Sequence, residues 1–279
     1  SMIEILKAIF LGIVEGITEW LPVSSTGHMI LVDEFLQLKA SEAFKELFFV
    51  VIQFGAILAV LTIYIKRFIP LKKNSKGQTV TDPKVFRLWI KIIIACIPAA
   101  VIGILFDDIF TAWFYNFQTV GLALIIFGVA FILVENQNQG KRTRVQTVND
   151  ISYRDAFIIG LFQLIAAIFP GTSRSGATIL GSIAIGISRA AAAEFTFFLA
   201  VPVMFGASLL KFFKLGFSYS AFEWLILAIG TVTAYIVSIF AIKFLMGYVK
   251  KHDFKVFGWY RIVLGGIVMA YWVFTVLFS

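Results

Sequence analysis

Charge and hydroxyl groups interrupt an apolar sequence at Glu15-Gly16-Ile17-Thr18-Glu19-Trp20-Leu21-Pro22-Val23-Ser24-Ser25-Thr26-Gly27-His28. Glu15 and Glu19 are four residues apart, so on a helix they share one face. Pro22 ends that helix because its ring clashes with the preceding turn. A capped soluble helix is the alternative interpretation. The apolar runs on both sides favour membrane depth instead, where ionisable side chains are costly and usually functional.

The composition predicts a helical membrane protein that crosses the bilayer several times. Of 279 residues, 60% are hydrophobic and 14% charged, whereas charged residues make up about a quarter of a globular domain. Apolar runs of about 20 residues indicate helices, since a barrel strand would alternate with period two. The net charge of +8 does not indicate nucleic-acid binding, because the basic residues lie mostly in short loops between apolar runs.

The apolar runs divide into ten helical segments within a single membrane domain. Their predicted bounds are 2–20, 24–38, 44–66, 86–106, 116–135, 153–169, 173–188, 193–212, 223–246 and 257–278. A polar linker at 136–150 separates the two halves, which we predict to be repeat one (1–140) and repeat two (150–279).

The two halves share a proline–hydroxyl–glycine break. The stretch from Gly12 to Ser25 aligns with 160–173 at an offset of 148, with Glu15 opposite Gln163. After one inserted residue, Gly27 aligns with Gly176. Repeats whose helices break at corresponding positions mark the binding site in many transporter-type folds.

Basic residues predict the orientation of the chain. They cluster after segment three, in the linker and before segment ten, and by the positive-inside rule all three loops are cytoplasmic. These residues are Lys66, Arg67, Lys72, Lys73, Lys76, Lys84 and Arg87; Lys141, Arg142, Arg144 and Arg154; and Lys250, Lys251, Lys255 and Arg261. The loop at Asp107-Asp108 is predicted to lie outside, and Lys211 and Lys214 are exceptions to the rule.

This orientation predicts two re-entrant hairpins. Segments six and seven must enter and leave on one side, with a break at Pro170, and by symmetry segments one and two do the same at Pro22. Each half then has three full spans, and an odd number inverts the second half relative to the first. We therefore predict an all-α integral membrane protein with six full spans and an inverted-topology repeat. The broken tips of the hairpins meet near the midplane, where only protein or a watery cavity tolerates irregular backbone.

The second tip, 170–178, has the chemistry of an anion site. Arg174 begins a predicted helix, whose N-terminus attracts anions. Its planar fork suits phosphate oxygens. The alternative is a structural arginine that pairs with a carbonyl or carboxylate.

Joined at the midplane, the tips bring Glu15 and Glu19 close to an anion held by Arg174. Because carboxylates alone repel phosphate, we predict a divalent cation between them, Mg²⁺ or Ca²⁺, with Glu15 and Glu19 as ligands. Ser25, Ser24, His28 and a metal-bound water remain alternative nucleophiles. His28 is also a candidate acid or base.

Both motifs, Glu15 to His28 and 170–178, resemble those of the bacterial undecaprenyl-pyrophosphate phosphatase family associated with bacitracin resistance. The resemblance covers nearly the whole chain. It implies hydrolysis of the C55 lipid pyrophosphate to the monophosphate, divalent-metal dependence, and a homodimer in the inner (plasma) membrane whose site opens outward. The implied partners are the lipid pyrophosphate and membrane lipids.

The same resemblance assigns residue roles. It implies catalytic roles for Glu15, Glu19, Ser25 and His28, and substrate binding by Ser24, Thr26, Ser173, Arg174 and Thr178. In the second tip, Gly171 and Ser175 are further candidate binding residues, because a glycine lets the backbone approach a ligand closely and hydroxyls flank Arg174. The inverted repeat alone suits a polyprenyl-phosphate flippase equally well. The acidic and nucleophilic groups favour the enzyme.

Overall fold

A computed structural model describes all residues, 1–279. It contains ten α-helices, which confirms the predicted all-α class; the only sheet is a hairpin of Leu71–Lys73 and Thr79–Thr81. The helices are α1 (Met2–Thr18), α2 (Ser25–Phe35), α3 (Glu42–Phe68), α4 (Pro83–Phe114), α5 (Phe117–Asn138), α6 (Tyr153–Ile168), α7 (Arg174–Ala184), α8 (Arg189–Leu215), α9 (Ala221–Tyr248) and α10 (Lys255–Phe278). A 3₁₀ turn, Val148–Asp150, lies in the linker.

Six helices, α3, α4, α5, α8, α9 and α10, are long and apolar enough to cross a membrane, as predicted. The other four form two pairs of shorter helices, α1–α2 and α6–α7. In chain order the helix lengths are 17, 11, 27, 32 and 22 residues, then 16, 11, 27, 28 and 24. The order of lengths therefore repeats, while the exact repeat boundaries stay a prediction.

Helices at matching places in the two halves run antiparallel. Near one end of the α3–α8 contact Glu46 pairs with Lys211. Near the other end Arg67 Nη1 lies 3.1 Å from Glu194 Oε2. Since α3 begins where α8 ends, the second half is inverted relative to the first.

Glycines bring α5 and α10 together in the same antiparallel sense. A Cβ on Gly128 would stand 2.7 Å from the carbonyl oxygen of Gly258, and one on Gly265 would stand 2.8 Å from that of Gly121. Small residues are the usual means of close helix packing in membranes, where no hydrophobic force holds helices together.

The two short-helix pairs enter the fold from opposite faces. The α1–α2 pair leads directly into the start of α3, and the α6–α7 pair leads directly into the start of α8. Because α3 and α8 are antiparallel, the broken tip of each pair approaches the middle of the molecule from its own side. This is the re-entrant arrangement that the basic loops predict.

Two placements differ from the sequence-based expectation. Asp107 and Asp108 do not form a loop, because α4 continues to Phe114. Arg261 does not belong to the last basic loop, because it lies within α10 and its side chain is fully buried. The sequence groups Arg261 with the nearby lysines, because a charged residue six residues into a helix resembles one in the preceding loop. Its burial is therefore not evident from the sequence.

Candidate active site

The two hairpin tips have the same backbone. Ser24 and Ser173 are the only non-glycine residues with positive φ, at 73° and 76°. Each caps the helix that follows: Ser24 Oγ accepts from the Gly27 N–H at 3.0 Å, and Ser173 Oγ accepts from the Gly176 N–H at 3.0 Å. Such strained conformations persist where the surrounding structure enforces them, commonly at functional sites.

This shared cap corrects the sequence alignment by one position. Ser24 is equivalent to Ser173, because each precedes the first residue of an 11-residue helix. The extra residue of the second half therefore precedes the cap. As a result, Arg174 occupies the place that Ser25 has in the first half.

The tips meet through Glu19. Its Oε1 accepts from Arg174 Nη2 at 3.3 Å, and its Oε2 accepts from the Ser25 hydroxyl at 3.4 Å. The side chains of Arg174 and Glu19 are only 13% and 8% exposed. Arg174 Nη1 also donates to the carbonyl oxygen of Thr196 at 3.0 Å, which fixes the guanidinium from the α8 side.

A polar inner chamber of about 220 Å³ lies at this junction. It is lined by Thr18, Glu19, Ser25, Thr26, Gln53, Ala166, Pro170, Gly171, Ser173, Arg174, Val203, Met204 and Ala207. Both tips therefore contribute to one chamber. A carboxylate, a hydroxyl and a guanidinium line it together.

An outer chamber of about 590 Å³ shares Ser25, Thr26 and Gln53 with the inner one. It adds apolar and charged residues: Glu15, Met29, Asp33, Glu42, Lys45, Glu46, Phe49, Val50, Tyr115 and Lys211. Glu42 and Lys211 lie at the start of α3 and near the end of α8. The chambers therefore open on the face opposite Lys66 and Arg67, which end α3.

Two buried polar atoms at the site have no hydrogen-bond partner: Glu15 Oε1 and Arg174 Nε. Buried polar groups are normally paired, so these atoms are available to a ligand. Glu15 and Glu19 fit a hard cation, but no group of three or more His, Cys, Asp or Glu side chains surrounds one position. Any such cation would need oxygens from water and phosphate as well.

The model of a known family, described as bacitracin resistance protein BacA, matches residues 8–267. The chain belongs to the BacA family.

Curated relatives cover nearly its full length. The undecaprenyl-diphosphatase of Desulfitobacterium hafniense is 63% identical over 271 residues, 97% of each chain. Undecaprenyl-diphosphatase 1 of Clostridium acetobutylicum is 62% identical over 269 residues, 96% of this chain and 97% of its own. An undecaprenyl-diphosphatase of Enterococcus faecalis is 58% identical over 269 residues, with the same coverage.

Within this BacA-family fold, most of the predicted site residues line the two chambers. They are Glu15, Glu19, Ser25, Thr26, Gly171, Ser173 and Arg174. Ser24, His28, Ser175 and Thr178 do not line them. Ser24 is fully buried and uses its hydroxyl for the cap.

His28 points away from the chambers toward α10. Its Nδ1 lies 2.7 Å from the Ser24 carbonyl oxygen, and its Nε2 lies 2.6 Å from the Tyr260 hydroxyl, on which the ring also stacks. Both ring nitrogens thus have partners other than Ser25. The structure does not bring Ser25 and His28 together; the group beside the Ser25 hydroxyl is Glu19.

Ser175 and Thr178 support the second tip from within the protein. The Ser175 hydroxyl donates to the Leu21 carbonyl oxygen at 3.4 Å and so contacts the first tip. Thr178 donates to the Arg174 carbonyl oxygen at 2.9 Å and lies 2.8 Å from the Thr196 hydroxyl. Both hydroxyls bond within the protein in this arrangement, and the substrate-binding roles of these two residues stay predictions.

Sequence reasoning missed several residues around the site. Thr18 lines the inner chamber, and Lys45 and Lys211 lie at the outer one. Lys211 had a sequence signal, because it breaks the positive-inside pattern. Gln53 lines both chambers and so lies where they join.

Proposed function

We propose that this chain hydrolyses undecaprenyl diphosphate to undecaprenyl phosphate and inorganic phosphate, which recycles the lipid carrier for cell-wall synthesis. The observation that carries the proposal is the shared contact of Ser25 and Arg174 with Glu19 inside a buried polar chamber. The names of the close relatives support the substrate.

Ser25 is the nucleophile in this proposal. Glu19 takes its proton while the Ser25 oxygen bonds to the terminal phosphorus, and the bond from that phosphorus to the bridging oxygen breaks. Undecaprenyl phosphate leaves with the bridging oxygen, and water then cleaves the phosphoserine to release phosphate. Arg174 holds the transferring phosphoryl group, and its planar fork is suited to the charge that grows there.

Glu15 and Glu19 would hold Mg²⁺ or Ca²⁺, with water and phosphate oxygens completing its shell. Bound there, the cation would neutralise phosphate charge that the carboxylates would otherwise repel. The unpartnered Glu15 Oε1 supports this assignment.

The proposed location is the bacterial inner (plasma) membrane, with the chambers open to the outer side. The basic loops support this orientation, because the basic residues that follow α3 lie at the end of that helix away from the chambers, and positive loops stay on the cytoplasmic side. The homodimer implied by the resemblance stays a prediction.

Phosphate release by the purified protein in detergent, with undecaprenyl diphosphate and Mg²⁺ or Ca²⁺, tests the function. The inverted repeat also suits a flippase, but release in detergent requires no second compartment and transport does. Steady release by the wild type, lost in Ser25→Ala, is the expected result. Equal release by both proteins would reject the proposed chemistry.

Cysteine labelling tests the orientation. In a Cys96→Ser background, Arg142→Cys in the linker should be labelled only from the cytoplasmic side. Ser218→Cys, between α8 and α9, should be labelled only from outside; both positions are exposed. Labelling of residue 142 from outside would reverse the proposed orientation.

A further inference from the structure

Arg261 is a buried arginine that the proposed chemistry does not use. It lies in α10, its side chain is fully buried, and it forms no ion pair with a carboxylate. Burying an unpaired charge is costly. Such a residue persists only where its environment provides strong compensation, and at membrane depth it usually marks function.

The compensation comes from four backbone carbonyls. Arg261 Nη1 donates to the Pro22 carbonyl oxygen at 3.3 Å, and Nη2 donates to that of Gly171 at 3.1 Å. Nε and Nη2 each donate at 3.4 Å to α5, at Leu124 and Ala123 respectively. One guanidinium thus contacts both hairpin tips and the helix packed behind them.

The two tip carbonyls are free because of the helix breaks. Neither Pro22 nor Gly171 lies in a helix, and neither carbonyl accepts a backbone N–H. A carbonyl left without a partner in a buried position destabilises the structure. Arg261 therefore satisfies the groups that the breaks expose.

The spacing along the chain connects these contacts to the chemistry. Pro22 is three residues before Ser25, and Gly171 is three residues before Arg174. A planar fork that binds both carbonyls at once fixes the distance between the tips. Lysine, with a single nitrogen, cannot reproduce two donors at a fixed separation.

We propose that Arg261 is a positioning residue that holds the two tips in the register that places Ser25 and Glu19 beside Arg174. This inference rests on the proposed function for its kinetic consequence. The structural part, the joining of the two tips, stands independently of any activity.

Gly176 supports this assignment from the second tip. A Cβ there would stand 2.8 Å from Arg261 Nη1. Gly176→Ala should therefore displace the fork without changing the charge, and it provides a second variant that keeps an arginine at position 261.

The kinetic test compares Arg261→Lys, Arg261→Gln and Gly176→Ala with the wild type, using phosphate release from undecaprenyl diphosphate. A displacement of about 1 Å costs roughly 10²-fold in rate, so we expect kcat to fall about 10²-fold in Arg261→Lys and Arg261→Gln. KM should change less than threefold, since Arg174 still binds the phosphate. Gly176→Ala should give a smaller fall in kcat.

Arg189→Lys is the matched control. Arg189 also joins elements far apart in sequence, through Nε to Glu135 Oε2 at 2.9 Å, but it lies outside the chambers. It should keep kcat within twofold. The melting temperature of each variant shows whether the protein is still folded. A fall in kcat in a folded variant can then be assigned to altered register between the two tips.

Hydrogen exchange gives a readout independent of activity. In Arg261→Lys and Arg261→Gln, amides at 20–27 and 169–176 should exchange faster together, while those of α9 are unchanged and Arg189→Lys shows no change at the tips. Should the wild type release no phosphate, the proposed function fails, and the exchange data still test the joining of the tips.

Three results would overturn the inference. The first is unchanged kcat and tip exchange in folded Arg261→Lys and Arg261→Gln. The second is faster exchange at only one tip. The third is unfolding of all three variants, which would make Arg261 a support of the whole fold.

Discussion

The two hairpin tips share one backbone conformation but carry side chains of different chemistry. Ser24 and Ser173 cap their helices with the same φ and the same hydrogen bond. The first tip then presents the Ser25 hydroxyl beside Glu19, whereas the second presents Arg174 at the position equivalent to Ser25. The backbone of the two tips is therefore shared, and in the proposed function the side chain at that one position distinguishes the tip that reacts from the tip that binds.

If the proposed function is correct, this division requires both halves for activity. The carboxylates of the first half repel a phosphate, and the second half has Gln163 where the first has Glu15. Only when the tips meet does Glu19 contact both Ser25 and Arg174. The site therefore depends on the packing of the two halves, and variants of each tip should fail in different ways.

Ser25→Ala should produce the largest effect, because it removes the proposed nucleophile from the first tip. Loss of a serine nucleophile costs on the order of 10⁶-fold in kcat, so turnover should fall to background. Rapid quenching of the wild type during turnover should also trap phosphoserine at residue 25. Measurable turnover in the variant, with no trapped phosphoserine, would assign the attack to water or His28.

Removal of divalent cations should abolish the reaction at the first tip, whereas the second tip should still bind an anion. EDTA should reduce phosphate release to background, and added Mg²⁺ or Ca²⁺ should restore it, because Glu15 and Glu19 then no longer repel the phosphate. Glu15→Gln should raise the cation concentration needed for half-maximal activity. Full activity in the metal-free protein would remove the cation from the proposal.

Arg174→Lys tests the second tip. The charge remains but the planar fork is lost, so kcat should fall roughly 10²- to 10³-fold, the usual loss when one fixed donor to developing charge is removed. KM for the lipid diphosphate should rise as well, because Arg174 also binds the phosphate before the reaction. A variant with wild-type kcat and KM would show that Arg174 is only structural.

His28→Gln should have the smallest effect. The family resemblance implies a catalytic role, yet the ring lies outside both chambers and bonds to Tyr260. We expect less than a tenfold fall in kcat, with a similar result for Tyr260→Phe. A fall in kcat of about 10²- to 10⁴-fold, which is typical of losing a positioned acid or base, would show that His28 takes part in the reaction.

Much of the fold of this protein can be predicted from its sequence alone. Apolar runs of the length of a bilayer predict the six spans, and Pro22 and Pro170 predict the two breaks. The basic residues at the end of α3 and in the linker predict which segments re-enter. These features are local: hydrophobic length, a missing N–H and the preference of positive charge for one side act on each segment by itself.

Tertiary structure decided the rest, because side-chain direction and burial depend on neighbours far away in sequence. Ser25 and His28 lie three residues apart, and only the packing of α2 between the chambers and α10 separates the serine beside Glu19 from the histidine on Tyr260. From the sequence, Arg261 looks like a charged loop residue. Only the tertiary structure shows that free carbonyls of both tips accept hydrogen bonds from its guanidinium. A buried polar group is stable only where the whole fold supplies its partners, so its role is set by contacts that no local pattern contains.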